Sequence, residues 1–178
     1  TGCVYVYDPA TRRVETVLGG LAGASGLALS PDGSTLYVSD LGSRCVWQVE
    51  ADGRELTAGG RNCTAFLAGL PGYPGALAMD SDGTLYVSYR WGRSSWLEKQ
   101  AQSTLLRGIA LRAGQNLQEK LFRLAAEAPC AEAVDSATGS WQQTFTGLSQ
   151  GSCAGVCPVD SKVYFGTAGS GSLLAANR

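Results

Sequence analysis

The stretch GLALSPDGSTLYVSD, residues 26 to 40, comes back later in the same chain, and that recurrence restricts the fold more than any other feature. Leu27-Ala28-Leu29 is a short apolar run, Pro31-Asp32-Gly33 is a turn, and Leu36-Tyr37-Val38 is rich in β-formers. Proline presets φ and glycine accepts a positive φ, so the unit reads as a β-hairpin. ALAMDSDGTLYVS at 76 to 88 matches it almost position for position, with Gly83 50 residues after Gly33. A worn third copy is GVCPVDSKVYFG at 155 to 166. A hairpin recurring at about 50 residues signals a repeat architecture, a β-propeller first among them. An ordinary β-sandwich with similar hairpins would not explain why the segments between them repeat too. CVWQV at 45–49 resembles CVYVY at 3–7.

Taken in order, the chain reads as the third and fourth strands (C and D) of one blade, followed by A, B, C and D of the next. The expected strands are 3–7 and 14–18, then the first hairpin, then 45–49 and 65–67. LPGYPG at 70–75 leads into the second hairpin. After Tyr89 the rhythm breaks, and residues 92–128 carry a helical pattern. Leu105, Leu106 and Ile109 keep helical spacing, as do Leu117, Leu121 and Leu124. Ser95 with Glu98, and Asn116 with Glu119, resemble capping boxes. Strands resume at 131–134 and 141–145, the third hairpin follows, and 171–175 reads as one more C strand. The expectation is an all-β chain: about half of a six-bladed propeller spanning 1–178, about three blades, with a helical insertion at 92–128.

Composition narrows the function classes. Apolar residues make up 44% and charged residues 16%, which is globular rather than disordered. A net charge of −1 gives no case for nucleic acid. No apolar run is long enough to cross a membrane as a helix. The insertion carries an excess of Lys and Arg over Glu, so it reads either as a membrane-surface contact or as a helical layer on the propeller with its charges in water. Histidine is absent, which removes Ser-His-Asp triads, Cys-His dyads and histidine ligands from this stretch. The six cysteines, Cys3, Cys45, Cys63, Cys130, Cys153 and Cys157, admit disulfides or buried free thiols alike, and no spacing matches a zinc signature. The chain opens on Thr1 just before an apparent strand and reads as a piece of a longer protein.

SPDGSTLYVSD, then LAGLPGYPGALAMDSDGTLYVS, then an amphipathic insertion, then VYFGTAGSGSLLA, resembles the strictosidine synthase-like family. The likeness is to the carboxyl-terminal half, and the animal branch typified by the adipocyte plasma membrane-associated protein is included. It also places the chain near the SMP-30/gluconolactonase-like propellers. The resemblance implies a six-bladed propeller with a site at the central channel. It further implies a hydrolase-like or lyase-like small-molecule enzyme, located in the endomembrane lumen or vacuole, or secreted. A non-catalytic propeller that binds a small or lipidic ligand, or a protein partner, is the alternative. In the hydrolase-like branch, inner strands begin with oxygen ligands for a metal. Ser25 stands where that branch has an Asn, and Gly75 and Ala76 stand where it has an Asp-Asn pair. Calcium takes six to eight oxygens, so the resemblance implies no cofactor here unless ligands come from outside this half. Ala154 stands where the synthases have an acid/base Glu, and alanine transfers no proton.

Several residues remain as candidates for ligand contact. Ser25 and Ser152 are candidate polar channel groups. Asp40 reads as a general base or polar anchor, or as a turn residue. Tyr73, Tyr89, Trp91 and Trp96 read as an aromatic lining for a small or lipidic ligand, or as packing between blades. Asp80 and Asp82 read as turn residues.

Overall fold

The computed structural model describes residues 2–95, 98, 99, 128–147, 152–168 and 173–178. The chain forms β1 (Gly2–Asp8), β2 (Arg13–Leu21), β3 (Ala24–Leu29), β4 (Thr35–Asp40), β5 (Cys45–Glu50), β6 (Leu56–Thr57) and β7 (Thr64–Leu67). It continues through β8 (Gly72–Met79), β9 (Thr84–Gly92), β10 (Ala131–Asp135), β11 (Trp141–Phe145), β12 (Ser152–Val159), β13 (Lys162–Ala168) and β14 (Leu173–Asn177).

These strands make four sheets: β1-β2-β6, β3-β4-β5-β7, β8-β9-β10-β11 and β12-β13-β14. Neighbours that are hairpin partners pair antiparallel throughout. The two complete sheets have the A-B-C-D order expected of propeller blades, and the partial sheets are C-D and A-B-C. The tight turns between A and B strands follow their sequence. Gly33 has φ 75° and Gly83 has φ 82°, both left-handed, where a side chain is disfavoured. Asp32 Oδ1 accepts from Ser30 Oγ and the Ser34 amide, and Asp80 Oδ1 accepts from the amides of Asp82 and Thr84. Asp80 and Asp82 are turn residues, as their sequence suggested, and both also pair with Arg178. The turn of the worn third copy has no glycine, and Asp160 takes the positive φ of 51°.

Strand alternation sends apolar side chains to both faces of each blade, so the cores lie between blades. Leu77, Leu85, Val87 and Tyr89 pack with Ala28, Tyr37, Val46 and Leu67 of the preceding blade. Tyr86, Ala131 and Ala133 pack instead with Val156, Val163 and Phe165 of the following one. Leu27 and Leu77 hold the same place in the repeat, yet Leu27 is 52% exposed and Leu77 only 8%. The difference is positional: Leu77 is covered by the hairpin of the preceding blade, and the described residues supply no such hairpin ahead of β3.

Two local expectations are corrected. First, β9 runs on to Gly92, so the strand takes in Trp91 and the first residue assigned to the insertion. Second, the Glu98 carboxylate does not close a capping box with Ser95. It pairs with Arg93 Nε at 2.6 Å and with Arg44 at 3.3 Å, while the Glu98 amide donates to the Ser94 carbonyl. The rest of the proposed insertion, including Trp96 and the Asn116/Glu119 pattern, lies outside the described residues. β6 is an element the sequence did not reveal. Two residues from the connection between β5 and β7 add to β2 in parallel, Leu18 opposite Leu56 and Gly19 opposite Thr57.

Candidate functional site at the starts of the inner strands

The first strand of each blade lines the propeller's centre, and the three described ones, β3, β8 and β12, begin on one end of the arc. The repeat aligns Ser25, Gly75 and Ala154 at that end, and Gly26, Ala76 and Gly155 one step further in.

β3 and β8 touch closely there. A Cβ on Gly26 would lie 2.4 Å from the Gly75 carbonyl oxygen and 2.7 Å from the Leu77 nitrogen, so only glycine fits. The close approach brings two serines against the backbone of β8. Ser25 Oγ donates to the Pro74 carbonyl at 2.9 Å, and Ser39 Oγ donates to the Gly75 carbonyl at 2.6 Å. The two hydroxyl oxygens are 3.0 Å apart. Each hydroxyl has one proton to give and a β8 carbonyl within hydrogen-bond reach. In the next blade Ser88, which repeats Ser39, donates to the Ala76 carbonyl at 3.0 Å. Sequence reading passed over Ser39 and Ser88, although the repeat shows a serine at that place in both LYVS copies.

Beside Gly75 stands Arg90, which sequence reading did not single out. Its Cγ would lie 2.9 Å from a Cβ on Gly75, so the missing side chain makes room for the arginine stem. The guanidinium carbon is 5.1 Å from the centroid of the Trp91 ring, a cation–π distance. Arg90 and Trp91 are both exposed, as are Ser25 and Ala154. These four are the candidates for contact with a ligand at this end.

The other named residues are inside. Asp40 is 1% exposed, and its Oδ2 accepts from the Ala22 amide (3.1 Å), Ser43 Oγ (2.7 Å) and Trp47 Nε1 (3.3 Å). It ties a loop to its blade. Tyr73 and Tyr89 are 6% and 2% exposed and belong to the interior, not to the lining of a mouth. Burial pushes both phenols above their ordinary pKa. Tyr89 Oη donates to Glu132 Oε2 at 2.5 Å. Burial also raises the Glu132 carboxyl, and the Tyr89 hydrogen bond offsets part of that rise.

The positions that would hold a metal in the hydrolase-like branch do not fit one here. Ser25 offers one neutral hydroxyl oxygen where that branch has an amide oxygen, Gly75 has no side chain, and Ala76 offers a methyl group, so no carboxylate stands at any of the three positions. A calcium site needs several charged or free oxygens. Among the described residues no cluster of three acidic or cysteine side chains is placed to hold a metal.

An open cleft of about 500 Å³ lies between β1 and β3, lined in part by Cys3, Tyr5, Ser25 and Leu27. In the following blade the equivalent space, between β5 and β8, is filled by the A-B hairpin β3-β4. The cleft thus holds the place in the repeat that the β3-β4 hairpin fills in the following blade.

Blades of this topology packed side by side define a β-propeller arc. The chain belongs to the family described as SMP-30/Gluconolactonase/LRE-like region, whose model matches residues 1–117. It is 28% identical over 121 residues to Protein STRICTOSIDINE SYNTHASE-LIKE 6 of Arabidopsis thaliana, covering 68% of this chain and 31% of that protein. It is 27% identical over 162 residues to lactonase drp35 of Staphylococcus saprophyticus, covering 84% of this chain and 48% of that protein. The chain thus spans less than half the length of either curated relative. Its fold is similar to that of a gluconolactonase from Xanthomonas campestris, with a TM-score of 0.59 and 18% identity over 93% of this chain and 41% of the other.

Proposed function

We propose that this arc forms one wall of a small-molecule site in a six-bladed, hydrolase-like propeller. The observation that carries it is the placement of Ser25, Gly75 and Ala154 at the starts of consecutive inner strands, with Arg90 of β9 beside Gly75. Family membership and the lactonase relative support hydrolysis of an ester or lactone as the reaction class. The strictosidine synthase-like relative and the GYPGALA segment support a place in that branch. The arc itself supplies binding groups and not the chemistry. Ala154 has no proton to transfer, the serine protons are engaged, and no metal set is present among the described residues. The carboxylates that hydrolysis needs would come from the remaining blades of a full-length ring.

A second reading, a propeller that binds a small or lipidic ligand without turning it over, is favoured by Ser25. Its hydroxyl is used to join two blades, where a metal-dependent relative would need a ligand. The deciding experiment compares the full-length protein with this chain on gluconolactone and on 4-nitrophenyl acetate. Turnover by the full-length protein, lost in the arc alone, supports the hydrolase-like reading. A folded full-length protein that binds the lactone and leaves it intact replaces it with the second.

A further inference from the structure

Arg90 stands near the end of β9, beside the start of β8, at the end of the arc that carries the candidate site. Its place follows from the β8–β9 ladder. Tyr73 is opposite Trp91 and Pro74 is opposite Tyr89, so Arg90 falls within a register shift. Such an irregularity re-aims a side chain. The stem lies beside Gly75, where a Cβ would come within 2.9 Å of its Cγ. The same Cβ position is 3.5 Å from the Cys153 carbonyl, so the stem lies where β8 meets β12. The guanidinium carbon stands over the Trp91 ring at 5.1 Å from its centroid, and the residue stays exposed.

Charge sets Arg90 apart. Arg44, Arg54, Arg93 and Arg178 each pair with a carboxylate, and Arg90 pairs with none among the described residues. The carboxylates of the neighbouring strands are committed elsewhere. Glu98, just past β9, pairs with Arg93 and Arg44. Glu132 accepts from Tyr89, and Asp40 is buried with three donors on its Oδ2. Asp80, Asp82, Asp135 and Asp160 lie at turns on the opposite end of the strands. Ser25, Gly75, Ala76 and Ala154 bring no charge. At the site end the Arg90 guanidinium is thus a positive charge with no carboxylate to answer it among the described residues.

We propose that Arg90 is the anion-binding residue of the candidate site and that the ligand it takes is a small carboxylate. This rests on reading that end of the arc as a small-molecule site, and it names the class of compound the site holds. A guanidinium is a planar fork whose N–H groups match the two oxygens of a carboxylate. One seated over an aromatic ring is held by its face and keeps its edge for an oxyanion. A single positive charge balances a single negative one. A phosphate dianion calls for a second cation, and Arg93, the next one along the chain, is already answered by Glu98. Hydrolysis of an ester or lactone releases a carboxylate, so the class also fits the product of the proposed reaction. Gly75 is part of the device, since any side chain there would meet the arginine stem.

The test is titration calorimetry on the full-length protein with gluconate, benzoate and inorganic phosphate, and with the neutral counterparts sorbitol and benzyl alcohol. At least one carboxylate should bind more tightly than its neutral counterpart, and salt should weaken it. Arg90→Gln should weaken that binding about 10- to 100-fold, the effect of a lost hydrogen bond to a charged group. Arg90→Lys keeps the charge without the fork and should fall between. Arg61→Gln removes an exposed arginine in the loop between β6 and β7 and should change nothing. The proposal is overturned if neither carboxylate binds better than its neutral counterpart, or if Arg90→Gln does no more than Arg61→Gln. It is equally overturned if phosphate alone depends on Arg90. Each of these outcomes leaves turnover of gluconolactone by the unsubstituted protein as it was. Failure of the hydrolase-like reading shows instead as loss of that turnover, so the two are told apart.

Discussion

Ser39 Oγ and the Gly75 carbonyl oxygen are 2.6 Å apart, a hydrogen bond that crosses from the second strand of one blade to the first strand of the next. The bond exists because Gly26, which faces Gly75, has no side chain to hold the blades apart. The seam, the candidate site and the misfit to calcium all meet at this contact.

Substituting at that contact should be costly in one blade and harmless in another. In Gly26→Ala the new methyl meets backbone atoms that cannot turn away, and overpacking of that kind costs about 3 kcal/mol. Gly155 holds the same place in the third copy, and a Cβ there meets nothing within 4 Å. Gly155→Ala should change stability by no more than about 0.5 kcal/mol, as for a surface position. Urea unfolding of the two variants checks the contrast. Equal losses would mean that the seam is not as close as described.

Asp40 should be needed for what it accepts. Three donors converge on its Oδ2, two of them in the Ala22 amide and the Trp47 indole. Asp40→Ala strands those donors, at about 1–3 kcal/mol for each one left buried. Asp40→Asn keeps one acceptor oxygen. Its new amide would occupy the position of Oδ1, which has no hydrogen-bond partner among the described residues. The expected order of stability in urea is wild type, then Asn, then Ala.

Glu132 gives the fold a pH dependence of definite sign. Burial raises its folded pKa, so between the unfolded value, about 4.3 for glutamate, and the folded value the native state binds more protons. Stability is then fully present below the unfolded pKa and declines as pH rises through the folded one. Glu132→Gln should flatten that part of the curve. Tyr89→Phe removes the hydrogen bond that favours the carboxylate, so its decline should extend to higher pH. Thermal midpoints measured as a function of pH for the three proteins test the sign. A rise in stability across the window would contradict it.

Calcium should leave the stability of this chain unchanged. Binding to the native state would raise the midpoint by mass action, but Ser25, Gly75 and Ala76 do not offer the oxygens the ion requires. Melting curves in millimolar calcium and in chelator should coincide, and an upward shift with calcium would reveal ligands elsewhere in the chain.

The sequence by itself determined the repeat. Apolar alternation, paired with Pro-Asp-Gly and Ser-Asp-Gly turns at a fixed interval, is local chemistry, and the strands and their blade order follow from it. The side chains carried at Ser25, Gly75, Ala76 and Ala154 were legible too, because residue type is read directly from the sequence. Tertiary structure alone decided which side chains are available. Asp40, Tyr73 and Tyr89 have the composition of a binding site and lie in the interior, since a strand's two faces are distinguished only when neighbouring blades cover them. The contact of Arg90 with Gly75 and the two-residue strand β6 have no local signal. Each arises from how closely one blade is set against the next, a distance fixed by Gly26 and the serine bonds and by no periodicity along the chain.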